Sequence, residues 1–164
     1  MKDAHPATRM TFNSVVVLLS RLALVLLFLP FSALDKVLNF GAATGQARQA
    51  VPSPALAGAM ILLGLAVEVL TSIALVTGFA DRLGALVLAG YCAVTAILFK
   101  QFWTKPDFRL RGESQGREVF WDFLKNLALA GALASIALGP GTNGTRGLLA
   151  APLSSTDPYA ARGP

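Results

Sequence analysis

The chain has 164 residues, enough for one domain, with 54% hydrophobic residues, only 14% charged residues and a mean hydropathy of +0.60. A soluble domain carries roughly a quarter charged residues, so this composition argues against an ordinary water-soluble fold and points to an integral membrane protein. The net charge of +5 would suit nucleic acid in a soluble protein, but the basic residues sit mostly at segment ends and in loops, where they orient membrane helices. The bilayer is therefore the expected partner, and nucleic acid is not.

Residues 1–14 form an N-terminal tail, which holds the single histidine, His5. The first predicted helix is Val15–Leu34. Lys2 and Arg9 precede it as in a signal peptide, but the run is too long for a signal core and lacks an A-x-A site, so it is expected to be retained. Arg21 lies six residues inside it, roughly 9 Å deep at the α-helical rise, and Lys36 follows its end. Asp35 to Pro54 reads as a polar loop punctuated by Gly41, Gly45, Pro52 and Pro54. The second helix, Ala55–Val76, contains "LLGLAVEVLTSIALV", apolar apart from Glu68, which stands roughly 12 Å from the same side as Arg21. "TGFADR" is a tight turn that makes the second and third helices antiparallel neighbours. The third helix, Leu83–Phe102, carries the only cysteine, Cys92, and has Lys100 near its end; the charged loop Trp103–Val119 follows. The fourth helix, Phe120–Leu138, has Asp122, Lys125 and Asn126 in its first turns, on one face by their i, i+3, i+4 spacing. Residues 139–164, rich in Gly, Pro, Ser and Ala, are expected to be disordered, and the "NGT" at Asn143 is read as a chance match to a glycosylation acceptor.

Four runs of about 20 apolar residues each are long enough to cross a bilayer, and helices satisfy their own backbone there. The expected fold is an all-α, four-helix transmembrane bundle. Six basic residues flank the first and third loops and four flank the other side, which leans toward cytoplasmic first and third loops by too small a margin to orient the bundle.

The intramembrane polar residues are the informative ones, because a charge at a helix centre costs about 2.5–3.5 kcal/mol and usually faces a bundle interior. Arg21 and Glu68 share a depth and are expected to pair, either as a structural lock or as part of a site. A second cluster gathers Lys36, Lys100, Asp122, Lys125 and Asn126 near the opposite face, where Lys36 and Lys100 could equally snorkel to the interface. The expected polar interior is lined by Arg21, Glu68, Lys125 and Asn126. Gly64, Glu68, Thr71 and Ser72 make one stripe on the second helix; Gly84, Leu88, Tyr91, Thr95 and Phe99 make one on the third. Gly131, Ser135 and Gly139 have the small-xxx-small spacing that lets helices approach closely. Trp103 and Trp121 fall at one level, as an aromatic belt would. One tail histidine and one mid-helix cysteine offer no His-ligated metal centre and no CxxC exchange motif, so no metal or built-in cofactor is expected.

Particular segments resemble the DoxX family over roughly Val15 to Leu138. "SRLALVLLFLPFSALDK" is similar to its first helix, with Arg21 and Lys36 matching and Ala33 in place of a glycine. Glu68 matches the second-helix glutamate, and "LVTGFADRLGAL" keeps Gly78 and Arg82 in register while Ser72 replaces a glycine. "FLKNLALAGAL", Phe123 to Leu133, looks like the fourth-helix signature. In "TAILFKQFW" the histidine that many relatives place near Lys100 is missing. The resemblance implies a multi-pass protein of the cell membrane. The family takes its name from a subunit of an archaeal thiosulfate:quinone oxidoreductase, and other members resemble partners of thiol-stress enzymes or cargo receptors. The expectation that follows is an accessory membrane subunit of a redox system with quinone as its diffusible cofactor, Lys and Asn donors meeting the quinone carbonyls, and redox proteins or a second copy as partners. The competing expectation is a non-enzymatic binder, carrier or scaffold.

Overall fold

The computed structural model describes residues 12–139, 144–155 and 158–159. Residues 1–11, with His5, Lys2 and Arg9, and the "NGT" asparagine lie outside them. Helix α1 runs Phe12–Leu38, α2 Phe40–Ala47, α3 Pro54–Thr77, α4 Asp81–Phe99, α5 Gln115–Leu138 and α6 Gly144–Ala150. A 3-10 turn, Phe102–Thr104, follows α4, and no strand occurs among the described residues. Four helices are long and apolar enough to span a membrane: α1, α3, α4 with its 3-10 extension, and α5. Each spanning segment of 24 residues reaches about 36 Å, against a hydrocarbon core of about 30 Å. The protein is thus an all-helical, multi-pass membrane bundle. Its outward faces are apolar, with Leu19, Leu26, Leu63, Leu70, Ile97 and Leu127 all exposed, which suits acyl chains rather than water.

Local sequence sets the ends. Ser53 caps α3 by accepting from the Leu56 amide at 3.4 Å, with Pro54 at the first position, where a missing N–H costs nothing. Gly78 ends α3 in the left-handed region at φ +78°, a conformation open to glycine. Ser114 caps α5 by accepting from the Arg117 amide at 3.1 Å. Inside α1, Pro30 has no N–H to donate, and residues Leu27–Ser32 widen into a π-helical stretch. A wider turn changes the azimuth of everything beyond it, and Ser32 and Lys36, one turn apart, both face α3.

The core lies around α4. Leu75, Leu88 and Leu133 are fully buried, joined by Val25, Phe28, Ala85, Ala89, Cys92, Ala130 and Ala137. Alanine and glycine on α4 let its neighbours come close. A Cβ on Gly84 would stand 3.0 Å from that of Ala74 and 3.4 Å from the Thr71 carbonyl oxygen.

Three expectations are corrected. The stretch after Asp35 is not a plain loop: α1 continues to Leu38, and α2 packs on α3 with Ala47 buried. Gly41 and Gly45 read as breakers, yet their Cβ positions are open space and both sit inside a helix. Gly131 and Ser135 do not mediate packing within the chain, since both are exposed while Ala130, Leu133 and Ala137 face the bundle. Of the C-terminal segment, expected to be disordered, the described residues Gly144–Ala150 form α6, and residues 153–155 and Tyr159 contact the bundle. Its polar groups find partners at a helix terminus that has no side-chain cap of its own.

Candidate functional site

Two buried charge pairs form among the described residues, and neither is Arg21 with Glu68. Side chains on a helix lean toward its N-terminus, and α1 and α3 run in opposite directions, so Arg21 and Glu68 lean apart. Arg21 reaches the end of the bundle where the described chain starts. It donates to the Leu75 carbonyl at 2.8 Å and to Asp81 Oδ2 at 2.6 Å. Asp81 is wholly buried and opens α4, where the helix dipole favours an anion. The C-terminal segment closes over this pair. The Ser155 amide donates to Asp81 Oδ1 at 2.6 Å and its hydroxyl donates to Oδ2. The Leu153 carbonyl accepts from the Arg82 and Leu83 amides at 3.1 and 3.2 Å, and Ser154 Oγ accepts from the Ala80 amide at 2.7 Å. The Tyr159 ring lies 5.7 Å from the Arg21 guanidinium, and its hydroxyl donates to the Val76 carbonyl.

Glu68 leans the other way, toward the far end of α1. Lys36 Nζ donates to its two oxygens at 2.8 and 3.1 Å, Ser32 Oγ donates at 2.9 Å and Tyr91 Oη at 3.0 Å. Lys36 also donates to Ser32 Oγ at 2.6 Å. Glu68 is almost wholly buried and fully engaged, whereas Lys36 is only partly covered. Tyr91 reaches the carboxylate because residue 64 is glycine; a Cβ there would come within 3.2 Å of the Tyr91 hydroxyl.

Beside this network opens a groove of about 480 Å³, within the range of small-molecule sites. Residues of α2, α3 and α4 line it, with Met60, Val67, Val87 and Val94 forming apolar wall and Lys36, Tyr91 and Lys100 supplying polar groups. Gly90 lines it without contact, since a Cβ there would meet nothing within 4 Å. Leu63, Val87 and Val94 are exposed lining residues, so the groove is open on the apolar outside of the bundle.

The remaining expected residues form a third group. Lys100, capping the end of α4, donates to Asp122 Oδ2 at 3.1 Å, and Lys125 approaches Asp122 Oδ1 at 3.4 Å. Lys125 projects outward with 71% of its side chain exposed, and Asn126 donates to the Asp122 carbonyl of its own helix at 2.9 Å. The expected interior of Arg21, Glu68, Lys125 and Asn126 therefore does not assemble. Glu68 instead gathers Lys36, Ser32 and Tyr91. Trp103 and Trp121 are exposed at this end, next to edge-on contacts among Phe102, Phe120 and Phe123. No group of three or more His, Cys, Asp or Glu side chains that could hold a metal occurs among the described residues.

Asp81, Ser32 and Ser155 escaped the sequence reading, and Tyr91 entered it only as part of a stripe on the third helix. Asp81 was taken as a turn residue, although an aspartate opening a helix near the depth to which Arg21 points back was a usable signal. Nothing in the sequence marked Ser155.

The DoxX family model matches residues 16–101. The Escherichia coli (strain K12) protein named "Inner membrane protein YphA" is 31% identical over 129 residues, covering 77% of this chain and 85% of that protein. No solved structure matches significantly. With a family model matched over more than half its length and a relative 31% identical over 77% of it, the chain belongs to the DoxX family.

Proposed function

We propose that this chain is a membrane-embedded binding subunit that holds a lipid-soluble small molecule in the groove between α3 and α4. The observation that carries this reading is the juxtaposition of a 480 Å³ apolar groove, open to the outside, with the Lys36–Glu68–Tyr91 network along its inner wall. A buried glutamate that needed only a structural partner would pack without adjoining free volume. The bacterial inner membrane is the proposed location, in keeping with the name of the Escherichia coli relative.

In a redox assembly the occupant would be a quinone, with a carbonyl oxygen accepting from the Gln46 amide, which lines the groove. The charged segment 105–118, whose last residues open α5, is the proposed docking surface for a soluble redox partner, since it offers Lys105, Arg109 and Arg111 beside Asp107 and Glu113. The same groove serves a non-enzymatic carrier equally well, and the chain needs no catalytic step of its own in either case.

The test is purification with native lipids, extraction and mass spectrometry of the wild type beside Gly90→Leu, which fills the groove without touching the Glu68 network. A molecule enriched with the wild type and lost from the variant is expected; a quinone among the lost species supports the redox form. Identical extracts from the two proteins would overturn the reading.

A further inference from the structure

We infer that the occupant of the groove is a single-chain amphiphile with an anionic carboxylate head, drawn sideways from the bilayer, with its head at Lys100 and its chain running inward to Tyr91. This rests on the groove being a binding site and specifies what it takes.

Charge balance along the groove decides where a head group sits. The charged side chains lining it are Lys36 and Lys100. Lys36 is matched one to one by Glu68, which spends both oxygens on it, so the inner end carries no net charge. Lys100 shares its only carboxylate, Asp122, with Lys125, leaving one positive charge over from the three groups. The uncompensated cation therefore stands at the Lys100 end. That end is also the membrane surface, since exposed Trp103 and the basic loop of Lys105, Arg109 and Arg111 follow at once. A neutral head gains little from a lysine already holding half a carboxylate, whereas an anion completes the balance.

Shape decides the rest. Tyr91 and Lys100 are nine residues apart on one helix, about 13 Å, and the wall between them is Val94 and Phe99 facing Met60 and Ile61, with Val87 and Val67 a turn deeper. An apolar groove of 480 Å³ takes one extended acyl chain and not the paired chains of a phospholipid. Exposed Leu63 and Val94 on its rim put the entrance on the lipid-facing side, so the ligand arrives from the membrane and not from water.

The experiment measures binding of oleate and of methyl oleate to the detergent-purified full chain, for wild type, Lys100→Met, Lys100→Arg and Gly90→Leu. The wild type should bind oleate at least tenfold more tightly than the ester. Lys100→Met should erase that preference while still binding the ester, Lys100→Arg should retain it, and Gly90→Leu should lose both ligands. Equal affinity for acid and ester in the wild type, or a preference that survives Lys100→Met, would overturn the inference while leaving the groove as a site. Binding of both ligands unchanged in Gly90→Leu would sink the groove reading along with it.

Discussion

The bundle contains two buried ion pairs of the same chemistry, and their surroundings differ completely. Arg21–Asp81 is closed on every side. The carboxylate accepts from the guanidinium and from both polar groups of Ser155, a tyrosine ring covers the cation, and the two side chains keep 7% and 0% of their exposure. Lys36–Glu68 is closed around the anion only. Its lysine keeps 17% exposure and, with Tyr91, faces free volume. In a medium where a charge costs several kcal/mol, the first arrangement uses the pair as a lock between α1, α4 and the C-terminal segment. The second leaves a charged wall available to a visitor. Placement of a charge inside a span is thus not enough to mark a site; the adjoining cavity is what separates the two.

The largest expected effect tests the lock. Arg21→Ala leaves Asp81 buried without its cation, a loss of about 3–5 kcal/mol for a broken buried pair. Thermal unfolding in detergent should show it as the most destabilised single variant. If Lys36→Met costs as much or more, the distinction between lock and site fails. Next comes the strap over the lock. Truncation after Gly139 removes Ser155, Leu153 and Tyr159 from Asp81, the α4 terminus and Arg21. Hydrogen bonds to a charged group contribute about 1.5–3 kcal/mol each, so a drop of that order is expected, with ligand binding at the far groove unchanged. A truncated chain as stable as the full one would mean the strap contributes nothing.

The fold was readable because its causes are local and strong. Apolar length gives spans, the turn at Gly78 separates the second from the third, and the bilayer allows little else, although the last span starts at Gln115 behind the Ser114 cap and not at the expected Phe120. The pairing of Arg21 was not readable from depth alone, because a side chain some 6 Å long leans along the axis and reaches about a helical turn from its own Cα. The π-helical stretch at Pro30 compounded this, since it alters the azimuth at which Ser32 and Lys36 emerge. The groove and the strap depend on tertiary packing of α2 and of residues 153–155 and Tyr159, whose sequences carry glycine and serine signals that read equally as loop.

A pair of double-mutant cycles sharpens the comparison further. Arg21→Ala with Glu68→Gln should be additive within about 0.3–0.5 kcal/mol, because the two residues share no partner. Lys36→Met with Glu68→Gln should show coupling, up to about 1.7 kcal/mol on the scale found for hydrogen-bonded pairs in membranes. Coupling in the first cycle and none in the second would restore an Arg21–Glu68 pair and dissolve the network described above.

The smallest expected effect belongs to Tyr91. Its hydroxyl gives Glu68 one of four hydrogen bonds, and Tyr91→Phe leaves the carboxylate with Ser32 and both contacts to Lys36. The anion therefore stays satisfied, and the loss should be about 0.6 kcal/mol, the average for such bonds within a membrane. Stability alone would then say little about the role of the residue. Groove binding says more, because Tyr91 lines the inner end of the same space. If the groove takes a ligand whose chain ends at Tyr91, exchanging tyrosine for phenylalanine removes a polar tip from an apolar contact and should leave oleate affinity the same or slightly raised. A quinone whose head sat at this inner end would instead lose affinity when the hydroxyl went. Gly64→Ala provides the complement, since its Cβ, at 3.2 Å from the hydroxyl oxygen, pushes the ring off Glu68 while keeping every polar atom. The two variants should agree in stability and differ in binding, because only Gly64→Ala drives the tyrosine ring into the groove. Equal binding by both would show that the inner end of the groove is not where the ligand reaches.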